Sequence, residues 1–269
     1  MKKYEFPGEV KNIDGTTLHR IRALRDIPER GVKSGDLGGW IEKEANLSHD
    51  GSAWVSGDAC VYGSACVSGS AWVYDSAWVA DSALVSGSAW VSGSAWVYGS
   101  AWVAGSAWVY GSAWVYGSAR VYGSAWVYGS ARVYGSARVA GSAWVYGSAW
   151  VYGSARVSGS ACVADSALVS GSACVADSAR VSGSARITST TDYITIGAIG
   201  SRDDTTTFYR GADGEIYVSC GCFNGDVEQF EQAVRATHAG TKHEKTYLLA
   251  IELAKAQIGT PAGGQRANR

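Results

Sequence analysis

Arginine recurs at a spacing of eighteen residues in the middle of the chain, a spacing that could assemble an anion site. Arg120, Arg138 and Arg156 form this series, and Arg132 lies between two of its members. No acidic residue occurs between positions 117 and 158 to neutralise the four guanidinium groups. Guanidinium groups bind phosphates and stack on bases, so the pattern predicts a site for an anionic small molecule or a nucleotide. The alternative is a solvated face.

Tryptophan recurs in the same way, and a row of exposed indoles is typical of a binding surface. Ten tryptophans form two series whose members are spaced by eighteen or its multiples: Trp54, Trp72, Trp90, Trp108, Trp126 and Trp144; and Trp78, Trp96, Trp114 and Trp150. Each indole offers roughly 150–250 Å², so a half-exposed row exceeds the ~300–600 Å² of the largest apolar patch on a typical monomer. We predict that these rows are interfaces of a homo-oligomer, a trimer or alternatively an isologous dimer.

Cysteine and histidine near the C-terminus are the residues best able to bind a metal ion. Cys220 and Cys222 place both thiols on one side of a strand. His238 and His243 would complete a Cys₂His₂ set of the kind that binds zinc. The Cys-x-Cys spacing is tighter than that of usual zinc ligands. We therefore predict no metal and no other cofactor, and keep these four residues as the alternative.

The middle of the chain lacks groups for acid–base catalysis. Residues 51–188 contain no His, Lys or Glu, so this region offers no general base of those types. We predict no catalytic residue and favour a non-enzymatic protein. An acyltransferase is the alternative if the flanks supply the base, for which His49 and His238 are the candidates.

These side chains belong to a six-residue repeat. From Gly51 to Thr188 there are 23 uninterrupted hexads of the form Gly-Ser-Ala-Trp-Val-Tyr, in which the fourth residue is Trp, Arg, Cys or Leu. In an Ala-Xaa-Val strand, Ala and Val point to one side and Xaa to the other. The Gly-Ser or Asp-Ser step supplies a turn. The repeat therefore predicts a parallel β-solenoid with Ala and Val inside and the fourth residue outside.

The fourth position also predicts the size of the coil. Every third hexad gives the all-Trp series from Trp54, a second series from Cys60, and a third series that runs through Cys66, Leu84 and Trp102 to the arginines. Three faces of a triangular prism would sort the residues in this way. The chain is thus predicted to be all-β, with about eight coils of eighteen residues and a length of roughly 38 Å at ~4.8 Å per coil.

The flanks predict caps that cover the strand edges at both ends of the prism. The predicted domains are an N-terminal β-hairpin cap at 1–38, the β-helix at 39–188, a small C-terminal α+β domain at 189–260 and a disordered tail at 261–269. Asp226 is predicted to cap one helix and residues 242–258 to form another. Ile41 and Leu47 are in phase with Ala53 and extend the repeat backwards as a first coil.

The repeat resembles the hexapeptide-repeat, left-handed β-helix superfamily through its Val-Tyr-Gly-Ser-Ala period between Gly39 and Thr188. The segments Thr17–Leu24, Gly35–Glu42 and Gly197–Phe223 are similar to YdcK-like β-helix proteins, which are often associated with bacteriophages. The resemblance implies a left-handed coil and a phage origin, and for the ligand-binding alternative a role against host defence. It implies no established activity. The catalytic histidine and extruded loops of the acyltransferases in this superfamily are not found in the repeats.

The charge and hydropathy of the chain limit the classes of partner that it is expected to bind. The 269-residue chain has a net charge of −1, so it has no global field for double-stranded nucleic acid. It has no apolar run of the ~20 residues that a membrane-spanning helix needs, and its first residues do not resemble a signal peptide. We predict a cytoplasmic protein whose partner is itself, with no membrane partner.

Overall fold

Each hexad folds as a two-residue strand followed by a tight corner. The computed structural model describes residues 2–259, and a strand occupies every Xaa-Val pair of the repeat from Trp54–Val55 onward, ending with Arg186–Ile187. The first residue of each corner has a positive φ, for example 71° at Gly111, which glycine adopts without strain. The Ala side chains at the third position and the Val side chains at the fifth position of the hexads are buried. The core is therefore a column of methyl groups.

Three strands make one turn, and strands eighteen residues apart pair in parallel, as Trp72 pairs with Trp90. Face 1 comprises Trp54–Val55, Trp72–Val73, Trp90–Val91, Trp108–Val109, Trp126–Val127, Trp144–Val145, Cys162–Val163 and Arg180–Val181. Face 2 comprises Cys60–Val61, Trp78–Val79, Trp96–Val97, Trp114–Val115, Arg132–Val133, Trp150–Val151, Leu168–Val169 and Arg186–Ile187. Face 3 comprises Cys66–Val67, Leu84–Val85, Trp102–Val103, Arg120–Val121, Arg138–Val139, Arg156–Val157 and Cys174–Val175. The predicted parallel solenoid of about eight 18-residue coils is confirmed.

The carbonyl oxygens of Ala, Val and the corner glycine accept backbone hydrogen bonds from the preceding coil. The Trp90 N–H donates to the Ala107 oxygen at 2.9 Å, and the Ser92 N–H donates to the Val109 oxygen at 3.0 Å. Each coil therefore donates these hydrogen bonds to the coil that follows it, while the parallel ladder returns a Val N–H to the preceding coil. The Ala and Val carbonyl oxygens of the first coil lack a donor from an earlier coil, and the fourth- and sixth-position N–H groups of the last coil lack an acceptor from a later coil. The cap at one end must therefore supply mainly donors and the cap at the other end mainly acceptors.

The N-terminal cap is a small antiparallel sheet. Its strands are β1 (Tyr4–Glu5), β2 (Val10–Ile13), β3 (Thr16–Ala23) and β4 (Leu37–Ile41), with 3₁₀ turns at Pro28–Arg30 and Glu44–Asn46. Strands β1, β2 and β4 all pair antiparallel with β3, and β4 pairs in parallel with the first strand of face 2. Because β4 pairs with the first strand of face 2 and β3 pairs with β4, the N-terminal strand edge of face 2 is covered by the cap.

Cationic side chains of the N-terminal cap meet the free carbonyl oxygens of the first coils. The Lys3 Nζ donates to the Ala53 oxygen at 2.6 Å, and Arg30 donates to the Ser70 oxygen. Lys3 is buried, and this burial, together with the nearby positive charge of Arg25, lowers its pKa to about 8. The carbonyl edge is thus neutralised by donors from a segment distant in sequence.

The register of the first coil differs from the prediction. Ile41 pairs with Val61 and Leu47 with Val67, so both residues occupy the place of Val and not that of Ala. The prediction that they are in phase with Ala53 was wrong. The hexad has two inward positions two residues apart, and a period of six does not distinguish them. The extra residues lie in the segment that follows Leu47.

The C-terminal domain packs two helices on an antiparallel sheet. Its elements are β5 (Tyr193–Ile199), β6 (Asp204–Arg210), β7 (Ile216–Cys220), β8 (Phe223–Asp226), α1 (Val227–His238) and α2 (Lys242–Ile258), after a 3₁₀ turn at Thr190–Asp192. The Asp226 side chain accepts the Gln229 N–H at 2.7 Å, as predicted. Phe208 of β6 packs with Phe230 of α1 in a core that the helices cover.

The opposite face of this sheet closes the solenoid. Tyr209, which follows Phe208 and points the other way, is buried in the same cluster as the Ala and Val column. Free N–H groups of the last coils find acceptors here: the Thr207 hydroxyl accepts from Arg180 at 3.0 Å, and the Tyr193 hydroxyl accepts from Ala176 at 3.3 Å.

Two further predictions concern the tail and the membrane. The predicted disordered tail at 261–269 lies outside the described residues. Between residues 2 and 259, neither α1 nor α2 is both long and apolar enough to cross a bilayer.

Candidate functional surfaces

The tryptophans of face 1 form a stack of parallel indoles. The ring centroids of Trp90 and Trp108 are 4.5 Å apart, those of Trp108 and Trp126 are 5.0 Å apart, and those of Trp126 and Trp144 are 5.2 Å apart. The spacing follows the strand spacing, because each indole projects from the same place on successive coils. Trp72 meets Trp90 edge to face at 5.3 Å instead.

The tryptophans of face 2 form a shorter stack that an arginine interrupts. Trp96 lies 4.8 Å from Trp78 and 5.6 Å from Trp114. Arg132 then takes the next place, with its guanidinium carbon 5.4 Å from the Trp114 ring and 4.9 Å from the Trp150 ring. The cation–π contacts on both sides replace the missing indole stacking. Arg132 therefore belongs to the aromatic column and not to the arginine series of face 3.

Tyrosines at the sixth position of the hexad form a second column beside each tryptophan column. On face 2 these are Tyr98, Tyr116, Tyr134 and Tyr152, and on face 1 they are Tyr110, Tyr128 and Tyr146, with neighbouring rings 4.9–5.0 Å apart. Tyr98 meets Trp114 edge to face at 6.2 Å. These columns can be predicted from the sequence when the sixth-position residues that lie eighteen positions apart are aligned. The fourth position by itself does not reveal them.

The tyrosine columns leave the indoles partly covered. Trp144 and Trp150 remain 43% and 38% exposed, and most other tryptophans of faces 1 and 2 are half-buried. Trp54 is an exception, since only 1% of its surface is exposed. It belongs to a buried cluster with Tyr4 and Ile27 of the N-terminal cap, so its predicted place in an exposed row was wrong.

Burial of the stacked phenols disfavours their ionisation. It raises the pKa of Tyr98, Tyr110, Tyr128 and Tyr134 above the usual value for tyrosine. The phenols of these columns are therefore neutral over the physiological range of pH, and Arg132 is the charged side chain that stacks within the aromatic columns.

Face 3 has a different surface, because small residues replace most of the tyrosines at its sixth position. Leu84 and Trp102 are 43% and 42% exposed, and the following arginines are exposed. Trp102, Ala104, Arg120, Tyr122 and Arg138 line a groove of about 310 Å³. The Arg120 guanidinium carbon lies 5.7 Å from the Trp102 ring.

The arginines of face 3 have no carboxylate partner in residues 2–259. Arg120 pairs with Arg138, and Arg138 with Arg156, in parallel register. The ion pairs of the described chain involve none of these three side chains. Like charges on adjacent strands are unfavourable unless another group compensates them. The predicted arginine series is thus assembled in space with its charge uncompensated.

Three of the four candidate metal ligands of the C-terminal domain line the same cleft. Cys220, Cys222 and His238 line a cleft of about 250 Å³, and the ring of His243 lies 5.8 Å from that of His238. Within residues 2–259, no cluster of three or more His, Cys, Asp or Glu side chains has a geometry suited to a metal ion. The Cys220 Sγ instead accepts a hydrogen bond from the Thr206 hydroxyl at 3.1 Å. The described structure therefore offers no support for the Cys₂His₂ alternative, which stays a prediction.

His49 is part of the N-terminal cap. Its ring stacks on Tyr4 with centroids 4.4 Å apart, and its Nδ1 accepts the Lys3 N–H at 3.1 Å. These contacts hold the first strand against the first coil. They give His49 a structural role and offer no support for the transferase alternative.

Comparison with known proteins supports the repeat architecture. The family model described as the YdcK beta solenoid repeat matches residues 113–129 and 131–147. Together with the solenoid fold, this match supports a YdcK-like β-solenoid, which the sequence resemblance predicted. No curated protein matches the chain. The hexapeptide-repeat superfamily, the left-handed coil and the phage association stay predictions.

Proposed function

We propose that the protein is a non-enzymatic structural scaffold that associates with itself through faces 1 and 2. The observation that supports this most strongly is the pair of stacked Trp and Tyr columns, in which indoles such as Trp144 remain 43% exposed. Apolar surface of this extent is stabilised when it is removed from water. The YdcK-like solenoid is consistent with such a structural role.

The ends of the prism favour side-by-side association. Open strand edges are the usual route by which β-structures add further chains. Here β3 covers the edge of face 2, and Tyr209 with the rest of β6 closes the last coil. Since these contacts protect the ends, the long faces are the surfaces left for a partner.

A second copy of the chain is the partner that fits these faces best. In both copies the indole rings repeat every 4.5–5.6 Å along the solenoid axis. The rings of two copies can therefore interdigitate along the whole length without losing register. In a trimer, face 1 of one copy would contact face 2 of the next. In an isologous dimer, face 1 would contact itself.

The test is the molar mass in solution, measured by size-exclusion chromatography with light scattering over a range of protein concentrations. The test variant combines Trp108→Arg and Trp126→Arg on face 1, and the control is Trp102→Arg on face 3. Arginine already takes the fourth position at Arg132 between two tryptophans, so the fold accommodates this exchange. We expect the double variant to become monomeric and the control to keep the mass of the unmodified protein.

A Trp96→Arg variant distinguishes the two assemblies. Because Trp96 lies on face 2, its replacement should weaken a trimer and leave an isologous face 1 dimer intact. An unmodified chain that is monomeric at every concentration would overturn the proposal. So would a double variant that keeps both its circular dichroism spectrum and its oligomeric mass.

A further inference from the structure

The groove on face 3 is the place of a missing tyrosine. In the middle coils of faces 1 and 2 the sixth residue of a hexad is Tyr, and its ring packs beside the outward residue sixteen positions later, as Tyr110 packs beside Trp126 at 6.1 Å. At the corresponding place before Arg120, face 3 has Ala104. The groove of about 310 Å³ lies at this alanine.

The missing ring determines the size and shape of what could fill the groove. Neighbouring tyrosines in the columns are parallel and 4.9–5.0 Å apart. Tyr122 lies one coil beyond Ala104 and is 42% exposed. A planar ring in the place of the absent phenol would therefore stack on Tyr122 and have the Trp102 indole beside it. The groove suits one aromatic ring.

The charge of the groove determines the chemistry of the rest of the ligand. Arg120 and Arg138 line it, Arg156 follows on the next strand, and no carboxylate in residues 2–259 pairs with any of them. Guanidinium forks match the oxygens of phosphate and form charge-assisted hydrogen bonds with them. An anionic group beside the ring would compensate the repulsion between the stacked arginines.

Face 2 has a second groove at a position where alanine replaces tyrosine. This groove has no positive charge, so the absence of a tyrosine ring does not by itself favour an anion. On face 2, Ala80 interrupts the tyrosine column and leaves a groove of about 290 Å³ lined by Tyr62, Asp81 and Trp96 among others. This groove has an acidic residue and no arginine. The two sites share an aromatic geometry and differ in the sign of their charge.

We infer that the face 3 groove binds an aromatic phosphate of the nucleotide type, with its ring on Tyr122 and its phosphate at Arg120 and Arg138. This site lies outside the two faces proposed for self-association. It can therefore exist whether or not the chain forms oligomers.

The first experiment separates the ring from the phosphate. Isothermal titration calorimetry with the full chain would compare adenosine monophosphate, adenosine and inorganic phosphate at fixed salt. Because base–aromatic stacking and charge-assisted hydrogen bonds each contribute about tenfold or more in affinity, we expect the monophosphate to bind at least tenfold more tightly than either part. Equal affinity for the monophosphate and inorganic phosphate would overturn the inference.

The second experiment fills the groove. Ala104→Tyr restores the phenol of the other columns, and Tyr116, which precedes Arg132 by sixteen residues, shows that the fold places a tyrosine next to an arginine. We expect it to keep the fold and to lower the affinity for adenosine monophosphate at least tenfold. The matched control is Ala140→Tyr, on the other side of Tyr122 and outside the residues that line the groove. It should bind as the unmodified protein does.

A charge variant keeps the inference testable if Ala104→Tyr does not fold. Arg138→Gln should lower the affinity for the monophosphate by about tenfold and leave the weaker binding of adenosine unchanged. Equal losses in Ala104→Tyr and Ala140→Tyr, or no loss in Arg138→Gln, would overturn the site. An oligothymidylate that binds more tightly than the monophosphate would identify single-stranded nucleic acid as the source of the same chemistry.

The molar mass of each variant separates this site from the proposed scaffold. Ala104→Tyr and Arg138→Gln should leave the oligomeric state unchanged. The double variant Trp108→Arg and Trp126→Arg should leave monophosphate affinity unchanged.

Discussion

Gly111 is a corner residue at which two substitutions that both add a Cβ atom should differ in their effect on stability. Its φ is 71°, and a Cβ atom there would lie 3.1 Å from the Gly129 nitrogen of the next coil. Asp occupies this corner position elsewhere in the repeat, for instance at Asp75 with φ 59°. There the carboxylate accepts the N–H of the glycine one coil on, at 3.2 Å from Gly93. We predict that Gly111→Ala destabilises the fold and that Gly111→Asp destabilises it less or not at all.

The magnitudes follow from the backbone conformation and the added hydrogen bond. A left-handed conformation costs a residue with a Cβ atom roughly 1–2 kcal/mol, so Gly111→Ala should lower the free energy of unfolding by about that amount. A hydrogen bond to a charged group contributes about 1.5–3 kcal/mol when sheltered, and less at an exposed corner. Gly111→Asp should therefore recover about 1 kcal/mol or more of the loss.

The assay combines urea unfolding, followed by tryptophan fluorescence, with amide hydrogen exchange. In residues 2–259 the Gly129 N–H donates to no protein acceptor, so its exchange should be fast in the unmodified protein and in Gly111→Ala, and slow in Gly111→Asp. The reverse experiment uses a corner that already has aspartate. Asp75→Ala should lower the free energy of unfolding, and Asp75→Gly should leave it nearly unchanged. If Gly111→Asp loses as much stability as Gly111→Ala and Gly129 exchange does not slow, the reasoning is refuted.

Three further predictions concern the core, the end closure and pH. Val127→Ala removes a fully buried side chain and should lower the free energy of unfolding by about 2 kcal/mol in the same urea assay; a loss near zero would contradict the close packing of the methyl column. Tyr209→Phe keeps the ring but loses the 3.0 Å hydrogen bond to Asn224, so we expect a loss of about 1 kcal/mol, with faster amide exchange in the last coil as the readout. Burial raises the pKa of Tyr98 and Tyr134 in the folded chain, so their contribution is complete below the unfolded pKa of about 10 and is lost as pH rises above it, because the unfolded state releases its phenolic protons first. Unfolding midpoints that do not fall above about pH 10 would contradict this last prediction.

Much of the solenoid could be predicted from the repeat because the relevant physics is local. Alternation along a strand places Ala and Val on one side and the fourth residue on the other, and the eighteen-residue sorting of that residue requires three strands per turn. The first coil could not be predicted in the same way. Ile41 and Leu47 fit either inward position of the hexad, and their pairing with Val61 and Val67 depends on the number of residues that follow them.

The candidate sites were predicted less completely, because exposure depends on residues that are distant in sequence. Trp54 has the same hexad as the half-buried Trp90, Gly-Ser-Ala-Trp-Val-Ser, yet the N-terminal cap buries Trp54. Cys220 and His238 line one cleft, but their side chains do not converge as metal ligands. To predict the groove of face 3, both the arginine series and the alanine at position 104 must be recognised. The alanine stands out only when the sixth positions of successive coils are aligned.

The amino-acid sequence by itself determined the coil, its inward methyl groups and the side chains that it presents, because a strict period repeats one local geometry along the whole chain. The tertiary structure alone decided which of those side chains meet water. The N-terminal cap covers Trp54, the columns that include Tyr98 and Tyr110 shelter the indoles, and Tyr209 closes the core. The solvent accessibility of a side chain depends on the residues that pack over it. In this protein those residues belong to another coil or to a cap.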